Sequence, residues 1–346
     1  MRKHLVPVLA ALIAASLTAG LATARNDHHG PGSSGSGYAI GFWGDLPYSA
    51  LHETVGVPNL IADMNRRRLA FSVHAGDVKS GSSLCEDGVY SRAEAYFNSL
   101  RAPAIYTPGD NEWTDCDRPS NGAYSSRERL DHIRNTLFDD PDSFGQRQIR
   151  LEHQAAPYVE NTRWRSGQVT YAALHVVGSD NNRSGDVAPD PAEWAARDRA
   201  TNAWLRGTFT KAKRSDAAAV LLVMQANPGF DSADATRSPS RDPRTLLPAD
   251  GFHNFLRTLR EETTAFRRPV VLVHGDSHYF RVDKPLLDAQ GRRLENFTRL
   301  ETPGDNAQNG NNDVQWVKVQ VRPRSREVFS FQPQVVPRNR EAVPAP

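Results

Sequence analysis

Apolar residues in this chain come in short runs separated by amphipathic stretches. The runs at 38–44 (YAIGFWG), 69–76 (LAFSVHAG), 102–109 (APAIYTPG), 169–178 (VTYAALHVVG), 217–225 (AAAVLLVMQ), 269–275 (PVVLVHG), 314–321 (VQWVKVQV) and 327–334 (EVFSFQPQ) predict β-strands. The stretches 57–67, 91–100, 125–138, 191–212 and 251–265 predict helices. The runs before 225 and 274 are apolar throughout, as in strands covered on both faces. Strands alternating with helices predict an α/β fold. The last two runs alternate apolar and polar residues with no helix between them, which predicts an antiparallel part of a sheet. Segments 139–160, 228–250 and 299–312 are rich in Asp, Pro, Arg, Asn and Gly and predict long surface loops.

The two ends differ from this body. Residues 1–24 carry a basic start (Arg2, Lys3), an apolar stretch from Leu5 and a small-residue end at Ala22–Ala24. This pattern predicts a secretory signal cleaved after Ala24 rather than a retained membrane anchor. Residues 25–37 (RNDHHGPGSSGSG) predict a flexible leader, 38–335 a single domain, and 336–346 a disordered or surface-lying tail. No later segment is apolar enough to span a bilayer. The protein is therefore expected to be exported, either periplasmic or secreted. The 346 residues carry a net charge of +2, which gives no strong field for nucleic acid or acidic membranes. The two cysteines, Cys85 and Cys116, read as a disulfide in an exported protein, the alternative being two free buried thiols. The bridge would close a loop of about thirty residues and contribute roughly 3–4 kcal/mol.

The ends of the strands carry the chemistry. The first run leads into Asp45, the second into Asp77, and the third into Asp110, Asn111 and Glu112. The fifth leads into Gln225 and Asn227, and the sixth into Asp276 and His278. Open α/β sheets bind ligands at the carboxyl ends of their strands. One Gly-Asp pair is usually a turn or a helix cap. Four of them, at 44–45, 76–77, 109–110 and 275–276, all after apolar runs, point instead to converging carboxylates. Such a group cannot stay ionised without compensation, and divalent cations supply it.

In this order the blocks GDLP, AGDV, GDNE, MQANP and GDSH resemble those of the calcineurin-like metallophosphoesterases, which include the purple acid phosphatases. The resemblance covers about residues 38–285. It implies a four-layer α/β/β/α sandwich of two mixed sheets flanked by helices. It also implies an exported, metal-dependent phosphoester hydrolase, a phosphatase or phosphodiesterase working through a metal-activated hydroxide on a phosphorylated small-molecule or ester substrate. Position by position, Asp45 would bind one metal and Asp77 would bridge two. Asp110 stands where the family has asparagine, and Asn111 where it has the histidine that meets phosphate. Gln225, or alternatively Asn227, stands for a ligand histidine. Asp276 replaces the first histidine of the last block, and His278 matches the second.

The exchange of imidazole for oxygen donors favours one or two ions of Mn²⁺, Mg²⁺ or Ca²⁺ over Zn²⁺. The tyrosine that an iron–tyrosinate centre needs is absent, since Lys79 and Ser80 follow the second block. With Asn111 in the acid position, His274 and His74 are the candidate proton donors. Lys79, Asn227, Arg281 and Lys284 are candidate phosphate contacts, and Tyr48 and Trp113 stand beside ligand positions as pocket walls or core. Two other readings stay open: a non-catalytic metal- or phospho-ligand-binding member of the same fold, and an envelope interaction protein. No nucleic acid and no stable membrane anchor are expected.

Overall fold

All eight expected strands and all five expected helices form in the computed structural model, which describes residues 37–184, 187–230, 247–305 and 314–342. The proposed signal segment and leader lie outside these residues, apart from Gly37. Strands β1 (Tyr38–Trp43), β2 (Leu69–His74) and β3 (Ala104–Tyr106) run parallel. They share a sheet with the antiparallel β11 (Gln315–Val321) and β12 (Phe329–Val335), in the order β12-β11-β1-β2-β3.

The second sheet holds β4 (Glu152–His153), β5 (Thr162–Ser166), β6 (Val169–Ala173), β7 (Ala219–Val223), β8 (Val270–His274), β9 (Arg281–Asp283) and β10 (Phe297–Glu301). Its order is β4-β5-β6-β7-β8-β10-β9, with β6, β7, β8 and β10 parallel. β4, β5 and β9 are antiparallel to their neighbours.

Alternating residues explain the layers. Phe42, Phe71, Val73 and Ile105 face Tyr171, Leu221, Val223, Val271 and Val273 in a core between the sheets. The neighbouring positions Leu222, Val220 and Leu272 point the other way, onto α5 (Pro191–Arg214) and α6 (His253–Phe266). On the far face of the first sheet, Trp43, Tyr106 and Trp316 pack under α1 (Val57–Asn65), α2 (Asp87–Ser99) and α3 (Ser126–Leu137). Two mixed sheets flanked by helices thus form the expected α/β/β/α layers. Side-chain caps start two of the helices. Ser125 accepts from the Glu128 N–H, and Asp190 accepts from the Ala192 and Glu193 N–H groups ahead of Pro191. None of the helices among the described residues is long and apolar enough to cross a membrane.

Four strands escape the sequence pattern because of charge. β5 (TRWRS) falls in no expected element, yet Arg163 is buried and forked onto Glu152 of β4, inside the expected loop 139–160. β10 (FTRLE) begins two residues before the expected loop 299–312, with Arg299 and Glu301 fully buried. Arg299 donates from two of its three nitrogens to Asp283 of β9. Paired in this way, charged residues sit inside a sheet. The C-terminal tail also departs from expectation. Pro337–Ala342 forms helix α7, Val336 is buried, and the Asn339 amide donates to the Gly56 and Val314 carbonyls. Residues 343–346, most of loop segment 228–250 and much of 299–312 lie outside the described residues. Cys85 and Cys116 are joined in a disulfide, as expected.

Candidate functional site

Three parallel strands of one sheet and four of the other deliver their carboxyl ends to a common edge. Here the chain turns sharply: Asp45, Asp77, Asp276 and His278 all have positive φ, at 53°, 62°, 73° and 62°. The glycines beside the aspartates serve a second purpose beyond turning. A Cβ on Gly109 would lie 2.0 Å from the Asp77 carboxylate, one on Gly275 2.4 Å from Asp45, and one on Gly178 2.4 Å from Asp110. Each glycine therefore makes room for the carboxylate of another block. Gly275→Ala is expected to cost about 1–3 kcal/mol by overpacking, read as a lower urea midpoint at unchanged slope.

The structure brings Asp45, Asp77, Asp110, Asn111, Gln225, Asn227, Asp276 and His278 together. Asp45 Oδ1 accepts the Asp276 N–H at 2.9 Å and lies 3.8 Å from His278 Nε2, while buried Asp45 Oδ2 has no donor. Asp110 Oδ2 accepts from the Ser179 hydroxyl at 3.0 Å, and buried Asp110 Oδ1 has no donor. Asp276 Oδ2 accepts the Asn227 N–H at 2.8 Å. His278 places Nδ1 on the Asp305 carbonyl, which can only accept. In the neutral ring, Nε2 is therefore the acceptor nitrogen.

Asp77 is different. Its Oδ2 accepts from the Tyr48 hydroxyl (2.9 Å), the Asn111 side-chain amide (2.9 Å) and the Gln225 side-chain amide (3.0 Å). The Gln225 orientation is fixed, because its Oε1 is held by the Gly178 N–H at 2.7 Å. Gln225 thus offers its nitrogen to the cluster, and only an oxygen could bind a cation. Glu112 supports this corner from below. Its Oε1 accepts the Asp77 and Gly109 N–H groups and the Tyr106 hydroxyl.

Burial pushes the Asp45 and Asp77 carboxyls well above the ordinary carboxylate range, and neighbouring carboxylates add to this. Burial raises Asp110 too. Asp276 is pushed up to about 7, by burial first and then by Asp110. These groups stand close enough to repel one another, and Arg118 offsets this only in part, at Asp110.

Several expected contributors lie elsewhere. His274 is fully buried with Nδ1 on the Gly275 carbonyl, and burial, then nearby Arg299, lowers it to about 3. His274, expected as a proton donor, thus sits in the strand beneath the cluster as a ring whose burial disfavours its protonated form. His74 is likewise neutral, lowered to about 3 by burial, with Nε2 at the Leu46 carbonyl. Lys79 is buried and donates to the Ser80 and Asn111 carbonyls, so it clamps loops. Arg281 lies 3.4 Å from Glu301. Lys284 donates to the Glu295 and Phe297 carbonyls. The sequence reading missed Ser179 and gave no role to the Glu112 carboxylate or the Tyr48 hydroxyl. The run 169–178 also ends at the site, in the turn α4 (Gly178–Asn181), where Ser179, Asp180 and Asn181 have positive φ. It lacks the Gly-Asp pair that marked the other ends.

Among the described residues, no three His, Cys, Asp or Glu side chains already surround one point as metal ligands would. The two donor-free carboxylate oxygens, Asp45 Oδ2 and Asp110 Oδ1, have the hard-donor chemistry that suits a hard cation. A second ion bridged by Asp77 does not fit, because Oδ2 is already filled by three donors and Gln225 turns its oxygen away.

No family model and no curated protein matches the chain. It is similar to several solved structures. One is GAP50, the anchor in the inner membrane complex of Plasmodium, at 11% identity and TM-score 0.47, with 86% of this chain and 89% of that one covered. Another is purple acid phosphatase PPD1 from yellow lupin (Lupinus luteus) seeds, at 11% and 0.48, with 87% and 54% covered. A third is 5'-nucleotidase from Candida albicans, at 10% and 0.42, with 85% and 50% covered. Likeness so remote concerns the course of the chain and says nothing of the site.

Proposed function

We propose that the strand-end cluster binds one hard divalent cation and that the protein uses it to hydrolyse phosphoesters. The observation that carries the cation is the pair of buried, donor-free oxygens, Asp45 Oδ2 and Asp110 Oδ1. The substrate class rests on the order of the five sequence blocks. Asp45, Asp110, Asp276 and His278 would hold the ion, and their oxygen-rich set favours Mn²⁺, Mg²⁺ or Ca²⁺ over Zn²⁺. Such an ion supplies charge neutralisation and Lewis-acid polarisation of a phosphoryl oxygen.

The chain's own residues do the rest. Asp77 holds the Asn111 amide and the Tyr48 hydroxyl in fixed positions at the edge of the cluster. Their donors are taken up by Asp77, Tyr48 and the Lys79 carbonyl, so either one would donate a neutral hydrogen bond to a phosphoryl oxygen by turning from Asp77 toward it. Neither is a strong acid: burial pushes the Tyr48 phenol well above its usual value, and an amide does not titrate. The favoured substrates are therefore esters with good leaving groups, such as aryl phosphates. Export is part of the same reading, supported by the N-terminal pattern and by the disulfide.

One observation favours a second reading, a non-catalytic member that binds a phosphorylated ligand. The Asn111 and Gln225 amides close over Asp77. Elemental analysis after incubation with Mn²⁺, Mg²⁺, Ca²⁺ and Zn²⁺, followed by an aryl phosphate assay with each, separates the two. One equivalent of a hard ion with turnover is expected. An ion without turnover leaves the binding role, and no ion under any condition removes the cation site.

A further inference from the structure

A second pocket lies at the opposite edge of the seven-stranded sheet, by the start of β6 and the last turn of α5. Its volume is about 640 Å³, within the size range of small-molecule sites. Five cationic side chains, Arg150, Arg163, Arg165, Lys211 and Arg214, line it against one carboxylate, Glu152. Glu152 accounts for two of them, being forked by Arg163 and held by Lys211 at 2.6 Å. Arg150 stands 3.5 Å from Asp142 with its side chain 72% exposed, a contact that water screens.

The remaining two have no carboxylate partner among the described residues. Arg165 donates to the Gly167 and Ser215 carbonyls, and Arg214 makes no ion pair. The C-terminus of α5 adds about half a negative charge there, too little to offset them.

We propose that this pocket binds a small polyanion carrying two or more phosphate groups, with Arg150, Arg165 and Arg214 forking its oxygens. Guanidinium groups suit this because their paired N–H donors match phosphate oxygens. The pocket is wider than one phosphate needs, and its surplus charge calls for more than one. It stands apart from the acidic cluster and does not depend on a cation there.

The test is titration calorimetry of the mature protein with inorganic tripolyphosphate, in chelator so that the acidic cluster holds no ion. Saturable one-site binding that weakens with salt is expected. Arg165→Ala with Arg214→Ala should lower the affinity by roughly 30-fold or more, since each loses a charge-assisted contact. Both side chains are exposed, so the variant's melting temperature should stay near the parent's. Absence of saturable binding up to millimolar tripolyphosphate, or undiminished binding by the double arginine variant, overturns the proposal.

Discussion

Asp45→Ala is expected to bring divalent-cation uptake to background while leaving the metal-free protein at least as stable as the parent. The substitution removes one hydrogen bond, from the Asp276 N–H, worth about 1 kcal/mol. It also removes a fully buried charge that Asp276, Asp110 and Glu301 all disfavour. The two terms oppose each other, and relief of repulsion is the larger. With the parent, saturating cation at about a hundred times its dissociation constant adds about 2.7 kcal/mol, or roughly 5 °C in melting temperature. That rise should vanish in Asp45→Ala. A purely structural Asp45 would give the reverse, a weakened protein in chelator. Full cation uptake by the variant would remove this residue from the site.

Asp77→Ala offers the contrast. Four donors lose their acceptor, namely Tyr48, the Asn111 backbone and side chain, and Gln225. A loss of about 2–3 kcal/mol is expected after the relief of like charge. Because Oδ2 is already filled, part of the cation uptake should remain. Turnover should fall on the order of 10²–10³-fold, since Asn111 and Tyr48 are no longer aimed. If uptake instead disappears as in Asp45→Ala, Asp77 is itself a ligand, and its three donors must swing aside when the ion enters.

Replacing both Cys85 and Cys116 with serine is the other change of large effect. The bridge spans 31 residues, and losing it is expected to cost about 3–4 kcal/mol, on the order of 10 °C in melting temperature. Its consequence at the site is local. Both sulfurs lie against the Asn111 carbonyl, at 3.7 and 3.8 Å, and Lys79 donates to the same oxygen. The bridge thus ties the loop after β2 to the loop after β3 at the residue that faces Asp77. Turnover is expected to fall further than cation affinity, because Asp45, Asp110 and Asp276 are held by other contacts. Alkylation and mass measurement of the exported parent check the premise: two modified thiols would contradict it.

Hydrophobic periodicity alone determined the class of this protein. Runs apolar on both faces, such as AVLLV and VVLVH, can be satisfied only by a strand with a layer on each side. The alternation of strands with helices then leaves few architectures. The residues of the site were legible as well, since Asp45, Asp77, Asp110 and Asp276 each follow a glycine at the end of such a run.

What each of them does was not legible. Gln225 looks like a ligand until the Gly178 N–H, 47 residues away, takes its oxygen. His274 and Lys79 look like chemistry until burial and nearby carbonyls absorb them. The strands β5 and β10 stayed hidden because Arg163 and Arg299 become tolerable inside a sheet only once Glu152 and Asp283 arrive from neighbouring strands. The basic pocket was hidden for the same reason, since a net charge of +2 does not say where cations gather. Local sequence fixes the backbone period and the inventory of side chains. Which oxygen is left open, and which charge is left unpaired, depends on partners far away in the chain, and folding alone brings these together.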